Sequence, residues 1–408
     1  MQGVASAISR QRRLALCAIA AGIAAPAWSQ TPLARGLAPW SQIAERARGQ
    51  RVYFTAWAGS ERVNAYLQWA DAELQRSAGV QLVHVKISDA AETVRRVRAE
   101  KAAAKNDGSV DLVWINGENF LAMKRESLLF GPFSEALPNY RYVDLIGKPT
   151  TRVDFSEPVD GMEAPWGMAQ LTFFADQKRV PEPPRSMNAL LAFARAHPGR
   201  LGYPRPPDFT GSSFVKQALV ELSPGRSALY QPWSAQAMAI AAAPLWQFLD
   251  ALHPLLWRSG KQFLASAGAL RQMVSDGELL IGISFNPNEA ANEIAARRLP
   301  DSVVAYQHSG GTLANTHFLA IPFNASAREG AQVAANFLLS PAAQARKADI
   351  AQWGDPTVLA LEKLPPAERA LFATPPMPGQ VAQTMAAIAE PHASWVDPLE
   401  QEWLRRYA

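Results

Sequence analysis

Asn116-Gly117-Glu118-Asn119 is the stretch of this chain best equipped for recognition chemistry. It follows the apolar run DLVWI (111–115), so four polar or turn-forming residues arrive at the end of a strand. Glu118 can accept hydrogen bonds or pair with a cation, and Asn116 and Asn119 can donate or accept. A structural reading competes, in which Asn119 caps a following helix and Glu118 favours its N-terminus electrostatically. Trp57 ends RVYFTAW (51–57) and leads into Ala58-Gly59-Ser60. Its ring can stack on a flat or cationic group, with Gly59 allowing close backbone approach, or it can pack under the next helix. Thr210-Gly211-Ser212-Ser213 precedes a helix, where free N–H groups and two hydroxyls suit an anion or other oxygen acceptor. A plain serine cap fits the same residues. Asn286-Pro287-Asn288-Glu289 follows ELLIGISF (278–285); Asn286 or Asn288 can reach a ligand, and Asn288 can equally cap a helix. Thr316 and His317 lie in a long strand, where a lone histidine is more often structural.

None of these residues forms a recognisable catalytic pattern. There is no G-x-S-x-G elbow and no H-E-x-x-H helix, and the six histidines (84, 197, 253, 308, 317 and 392) show no paired metal spacing. The single cysteine, Cys17, rules out an internal disulfide and a cysteine-based zinc or iron–sulfur site. No catalytic residue, resident metal or cofactor is expected. Carboxylate pairs for glycoside hydrolysis have no fixed spacing, so a secreted hydrolase stays open as an alternative, as does a non-transport sensor or adaptor.

The N-terminus explains part of the composition. Arg10, Arg12 and Arg13 precede an uncharged apolar run, Leu14 to Ala25, and Ala25-Pro26-Ala27 offers small residues for cleavage. This is the layout of a secretory signal peptide over 1–27. Its twelve apolar residues make a helix of roughly 18 Å, too short for a bilayer core of about 30 Å. Its removal takes the cysteine and three arginines, leaving 37 basic against 36 acidic residues in place of 40 against 36. The clustered basic face that nucleic-acid binding requires is therefore not expected. A cysteine-free mature chain suits an oxidising compartment such as the periplasm.

The remaining chain, 48% hydrophobic and 19% charged over the whole sequence, is globular in composition. Strand-like and helix-like patterns alternate: strand 51–57, a helix through Val63, Tyr66, Leu67, Ala70 and Leu74, strand 81–87, helix 91–105, strand 111–115. That order predicts a parallel sheet with crossover helices. A long strand (166–176), a helix (187–196), a loop (201–214) opening a helix at Val215, a helical stretch (233–257), strand 278–285, a helix from Asn288 through Arg298, strand 311–322 and helix 326–339 form a second α/β unit, and 363–408 reads as mostly helical. Two sheets joined by crossing strands imply a cleft. Ligands of such folds gather at strand carboxyl ends and at domain interfaces, which makes 57–60, 116–120, 211–213 and 285–289 candidate lining.

YFTAWAGS, DLVWINGENF, APWGMAQLTFFAD, VPEPPRSMNALLAFA and QWGDPTVLALEKLP follow one another in an order that resembles the solute-binding components of bacterial ABC importers. The likeness is to the two-lobed class related to iron, thiamine and polyamine binders, and within it to an enterobacterial subfamily encoded with its own permease and ATPase. It spans roughly 45–408. The resemblance implies an α/β periplasmic-binding-protein fold, each lobe a sheet flanked by helices, joined by two crossing strands at a hinge. Lobe one would take 31–170 and 311–345, and lobe two 171–310 and 346–408. It implies a periplasmic receptor, monomeric, that closes on a small solute and delivers it to a permease. It adds weight to Asn116 and Glu118, and brings in Trp166 as a cleft aromatic with Gln170 following on the same strand. Trp57, Trp166 and Glu118 favour a cationic or zwitterionic, thiamine-like ligand, whereas the turn 211–213 favours an anion. A ferric site is disfavoured, because the iron-binding relatives carry a tyrosine pair and no adjacent Tyr-Tyr occurs here.

Overall fold

The computed structural model describes residues 38–373, 375–382 and 385–408, so the expected export signal lies outside the described residues. The strands are β1 (Arg51–Trp57), β2 (Gln81–Ile87), β3 (Leu112–Ile115), β4 (Val153–Asp154), β5 (Glu157–Pro158), β6 (Glu163–Gln170), β7 (Thr172–Asp176), β8 (Ile281–Ser284), β9 (Val303–Tyr306), β10 (Thr312–Ala320) and β11 (Ala387–Ala389). One sheet runs β11-β10-β3-β1-β2, with β6 also paired to β10. Within it β1 is parallel to β2 and β3, while β10 is antiparallel to β3 and β6. The second sheet is β8-β7-β9, antiparallel throughout. Helices flank both sheets.

The parallel part arises as the pattern predicts. Val63, Tyr66, Leu67, Ala70 and Leu74 form the buried stripe of helix Glu61–Ala78, which ends at Gly79 in the left-handed region (φ 67°). The chain then re-enters the sheet as β2, in register with β1 from Arg51↔Gln81 to Trp57↔Ile87. The carboxyl ends of β1, β2 and β3 therefore lie side by side, carrying Trp57, Asp89 and Asn116 onward on one edge of the lobe.

Apolar packing divides the molecule in two. One core gathers Val52, Phe54, Leu67, Leu82, Trp166, Leu319 and Leu338, and the other Phe173, Phe174, Phe214, Leu249, Ile283 and Trp403. The expected long strand 166–176 is broken at Leu171, because the chain leaves one sheet there and enters the other; the Leu171 N–H donates to the Leu313 carbonyl at this point (2.8 Å). The return crossing runs from β9 into β10.

Three expectations are corrected. Residues after 345 do not all join the second lobe: Trp353, Val358, Leu359 and Leu364 pack into the first core, anchored by Asp144 N–H to Val358 O and Ala360 N–H to Tyr142 O. The tail is not mostly helical either, since β11 lies between the helices Pro366–Ala370 and Val396–Tyr407. β11 pairs with β10 of the first sheet, whereas Trp395, Leu399 and Trp403 belong to the second core, so the chain crosses between lobes a third time. Finally, residues 117–120 and 209–213 are not loops but the first turns of the helices Gly117–Arg125 and Phe209–Leu222.

Candidate ligand-binding site

The turn after β3 is locked before any ligand is considered. Gly117 adopts φ 61°, and a Cβ there would fall 2.9 Å from the ring of Phe155, so only glycine fits both the backbone and the packing. The Gly117 N–H donates to Asp154 Oδ2 at 2.7 Å. Phe155 and Ser156 themselves have positive φ, 41° and 62°, a strained geometry for residues with side chains. The short β4–β5 hairpin is thus bent to press Phe155 onto Gly117 and to present Glu118 from the helix beyond it. The Asn119 amide donates to Glu118 Oε1 at 2.7 Å and supports the carboxyl instead of capping. Asn116 is the half-buried N-cap residue, and its side chain makes no capping bond.

The second lobe brings helix Phe209–Leu222 and helix Val396–Tyr407 to the same place. The Ser212 hydroxyl bonds to Glu400 Oε1. One turn on, Lys216 pairs with Glu390 Oε2 at 2.8 Å, with both side chains almost fully buried. The Lys216 ammonium also stands 4.1 Å from the Phe155 ring centre and 5.6 Å from that of Phe209. Ser212, Lys216 and Glu400 rim a crevice with Pro206, Val215 and Trp403 that is too narrow for a water molecule.

Carboxyl groups dominate the electrostatics. Burial pushes Glu118 up to about 8; Lys216 opposes this, and Glu400 and Asp397 add to it. Asp154 is raised well above its ordinary range, first by burial, with Glu118 and Glu390 adding and the Gly117 N–H opposing. Glu400 is raised by burial, and Asp397 and Asp89 add to the effect against Ser212 and Lys216. Glu118, Asp154, Glu390 and Glu400 therefore share the field of Lys216, which already has a partner, and Asp397 and Asp89 add to the acidic side at Glu400.

Helix Phe209–Leu222 is poorly placed to bind an anion. Asp208 Oδ1 accepts the N–H groups of Thr210 (2.9 Å) and Gly211 (3.2 Å), its carbonyl accepts that of Ser212, and the Ser212 hydroxyl faces a carboxyl. Ser213 is fully buried in the helix.

The other expected site residues separate into exposed and structural positions. Trp57 is 40% exposed at the tip of β1. Its ring folds over Gly59, where a Cβ would lie 2.2 Å from Cζ2, so this glycine makes room for the indole and not for a ligand. Ser60 is the N-cap of helix Glu61–Ala78, without a side-chain capping bond. Trp166 is wholly buried, not a cleft aromatic; it packs among Trp114, Trp353 and Phe54 at ring distances of 5.0, 5.6 and 6.2 Å. The Gln170 amide donates to Thr312 Oγ1 and the Met385 carbonyl at the crossing. Thr316 is buried and bonds to Thr150, and His317 bonds to Asp355 at 3.1 Å. Asn286 and Asn288 donate to the carbonyls of Trp353 (3.3 Å) and Gly354 (2.6 Å), so they fasten one lobe to the other. Among the expected residues, then, Glu118, Asn119 and Ser212 are drawn together. Asp89, Phe155, Lys216, Glu390, Asp397 and Glu400 join them from distant parts of the chain, and no local motif marks them. A wider groove of about 540 Å³ lies elsewhere, between helix Glu61–Ala78 and the outer strand β2. It faces solvent on the far edge of the sheet and lacks the converging carboxyls.

Comparison with known proteins agrees with this architecture. The profile of the bacterial extracellular solute-binding proteins matches residues 69–366. Protein YnjB of Escherichia coli (strain K12) is 46% identical over 376 residues, covering 92% of this chain and 95% of that protein. Among solved structures, the periplasmic binding protein AfuA from Actinobacillus pleuropneumoniae, with fructose-6-phosphate bound, superposes with a TM-score of 0.61 at 15% identity over 88% of this chain and 98% of its own. The spermidine/putrescine substrate-binding protein PotD from Streptococcus pneumoniae gives 0.57 at 12% identity, over 88% and 100%. The last two show the shared two-lobed fold, and the first two show the family. The chain belongs to the bacterial extracellular solute-binding proteins and serves as an extracytoplasmic receptor for a small solute, a binding protein and not an enzyme.

Proposed function

We propose that the solute is a cation or a zwitterion presenting its positive group to Glu118 and Glu400, between the first turn of helix Gly117–Arg125 and that of helix Phe209–Leu222. The observation that carries this is the excess of acidic groups: Glu118, Asp154, Glu390 and Glu400 stand around Lys216, and Asp397 and Asp89 add their charge at Glu400. Crowded carboxyls hold protons that a cation can displace, and the ligand then relieves their mutual repulsion. Trp57, exposed on the neighbouring strand tip, offers a face to a planar or quaternary cation of the thiamine kind. The capped start of helix Phe209–Leu222 argues against an anion. PotD, of the same fold, is named for spermidine and putrescine, which makes polyamines suitable first probes. The receptor is read as a periplasmic monomer exported by residues 1–27.

A thermal-shift screen of putrescine, spermidine and thiamine against fructose-6-phosphate and sulfate tests the reading on exported protein, whose intact mass should begin at Trp28. A ligand at 100 times its dissociation constant adds about 2.7 kcal/mol of stability. Stabilisation by a cation, weakened by salt, is expected. Stabilisation by the anions alone would sink the cationic reading and leave the receptor function intact.

A further inference from the structure

We propose that Lys216 is a tethered ammonium filling one cation subsite of the cleft, so that the protein itself limits how much positive charge its solute carries. The charge-limiting role rests on the cationic reading above; the existence of the cage does not.

The surroundings of Lys216 are those that recognise a free alkylammonium: a carboxylate on one side and aromatic faces on the others. Glu390 Oε2 lies 2.8 Å from Nζ, with the two side chains 1% and 3% exposed. Phe155 and Phe209 cover the ammonium at 4.1 and 5.6 Å. Phe209 lies on the lysine's own helix, and the other two walls, Glu390 and Phe155, are held independently of it. Glu390 Oε1 accepts from Asn315 Nδ2 at 3.2 Å, and its carbonyl accepts from the Ser156 hydroxyl at 2.9 Å. Phe155 is fixed against Gly117, and its carbonyl accepts the Ala393 N–H at 2.8 Å. Lys216 itself comes from the opposite lobe. A cage built by the β4–β5 hairpin and the third crossing is thus filled by a side chain reaching in from helix Phe209–Leu222. The remaining carboxyls nearby, Glu118 and Glu400 first among them, are left for the solute.

Lys216→Ala removes the three terminal methylenes and the ammonium, which together are n-propylammonium. In the variant, millimolar n-propylammonium should raise Tm by about 2–4 °C, while n-propanol and propionate should not, and wild-type protein should show no rise. If Lys216→Ala folds only poorly, its refolding yield should depend on n-propylammonium in the same selective way. Lys216→Ala/Glu390→Gln, which lacks both charges, should fold and show no rescue. With the subsite vacant, the spermidine-to-putrescine affinity ratio should rise about tenfold over wild type. Absence of rescue, or equal rescue by n-propanol, overturns the cage. Rescue with an unchanged ratio overturns the charge-limiting role. If neither polyamine binds wild-type protein, the cationic reading of the cleft has failed, and the rescue still decides the cage.

Discussion

Glu118 combines two demands that usually exclude each other. It stands among Lys216, Asp154, Asp397 and Glu400, and burial with like charges keeps its proton to about pH 8. Below its ordinary value of 4.5 both folded and unfolded chains hold that proton, and the group is neutral in its effect. From there to about 8 the unfolded chain gives up the proton more readily, so the residue lowers stability as pH rises; above about 8 the penalty is constant. Glu118→Gln should therefore flatten the fall of apo Tm between pH 5 and pH 8.5, by about 1 °C for each kcal/mol relieved. The same substitution should weaken a cationic ligand by about tenfold or more, and reduce the rise of wild-type affinity with pH. Titration calorimetry in buffers of different ionisation enthalpy reads the proton released on binding; no proton release from wild type would remove Glu118 from contact with the ligand.

At the level of elements, the site depends on how a strand hands over to a helix. Asn116-Gly117-Glu118-Asn119 is visible in the sequence as a polar stop after an apolar strand. Its conformation is not, because the need for glycine at 117 comes from a left-handed backbone packed against Phe155, a residue far along the chain. Gly117→Ala should cost about 1–3 kcal/mol through the left-handed backbone alone, with more from the clash against Phe155. Chemical denaturation measures the loss, and ligand affinity should fall with it because Glu118 is displaced. A variant as stable as wild type would show that the hairpin yields and that Phe155 does not hold the turn. The turn 210–213 carries the opposite lesson. Its serines look available for an anion until Asp208 is seen to take the free N–H groups and Glu400 to face the hydroxyl. Local composition shows which groups exist, and the partners that satisfy them are set by packing.

At the scale of the molecule, the lobes are joined by more than two strands. Arg62, on helix Glu61–Ala78, donates to the carbonyls of Ile350, Ala351 and Gln352 and, across to the second lobe, to that of Asn292. Asn292 and Asn288 in turn donate to Trp353 and Gly354. This brace holds the segment 350–354 between helix Glu61–Ala78 and helix Glu289–Ala295. Arg62→Ala removes charge-assisted bonds worth about 1.5–3 kcal/mol each at most. The expected result is faster hydrogen exchange at 350–354 and a larger radius of gyration of the unliganded protein in solution scattering. Unchanged exchange and dimensions would mean that the crossings alone set the arrangement of the lobes.

Periodicity and residue type alone specify the alternation of strands and helices, the parallel order of the first strands and the absence of hydrolase or zinc-helix motifs. Both act within about twenty residues of chain. They also mark Glu118 as a candidate, since an acid after an apolar strand is a local signal. Packing between distant segments makes Trp166 core, sets Asn286 and Asn288 as braces between the lobes, and assigns residues 353–364 to the first lobe. Burial and hydrogen-bond partnership depend on contacts between segments hundreds of residues apart, and no local pattern encodes them. The same holds for the carboxyl cluster: Glu118, Asp154, Glu390 and Glu400 are ordinary acids one at a time, and only the fold brings them around Lys216.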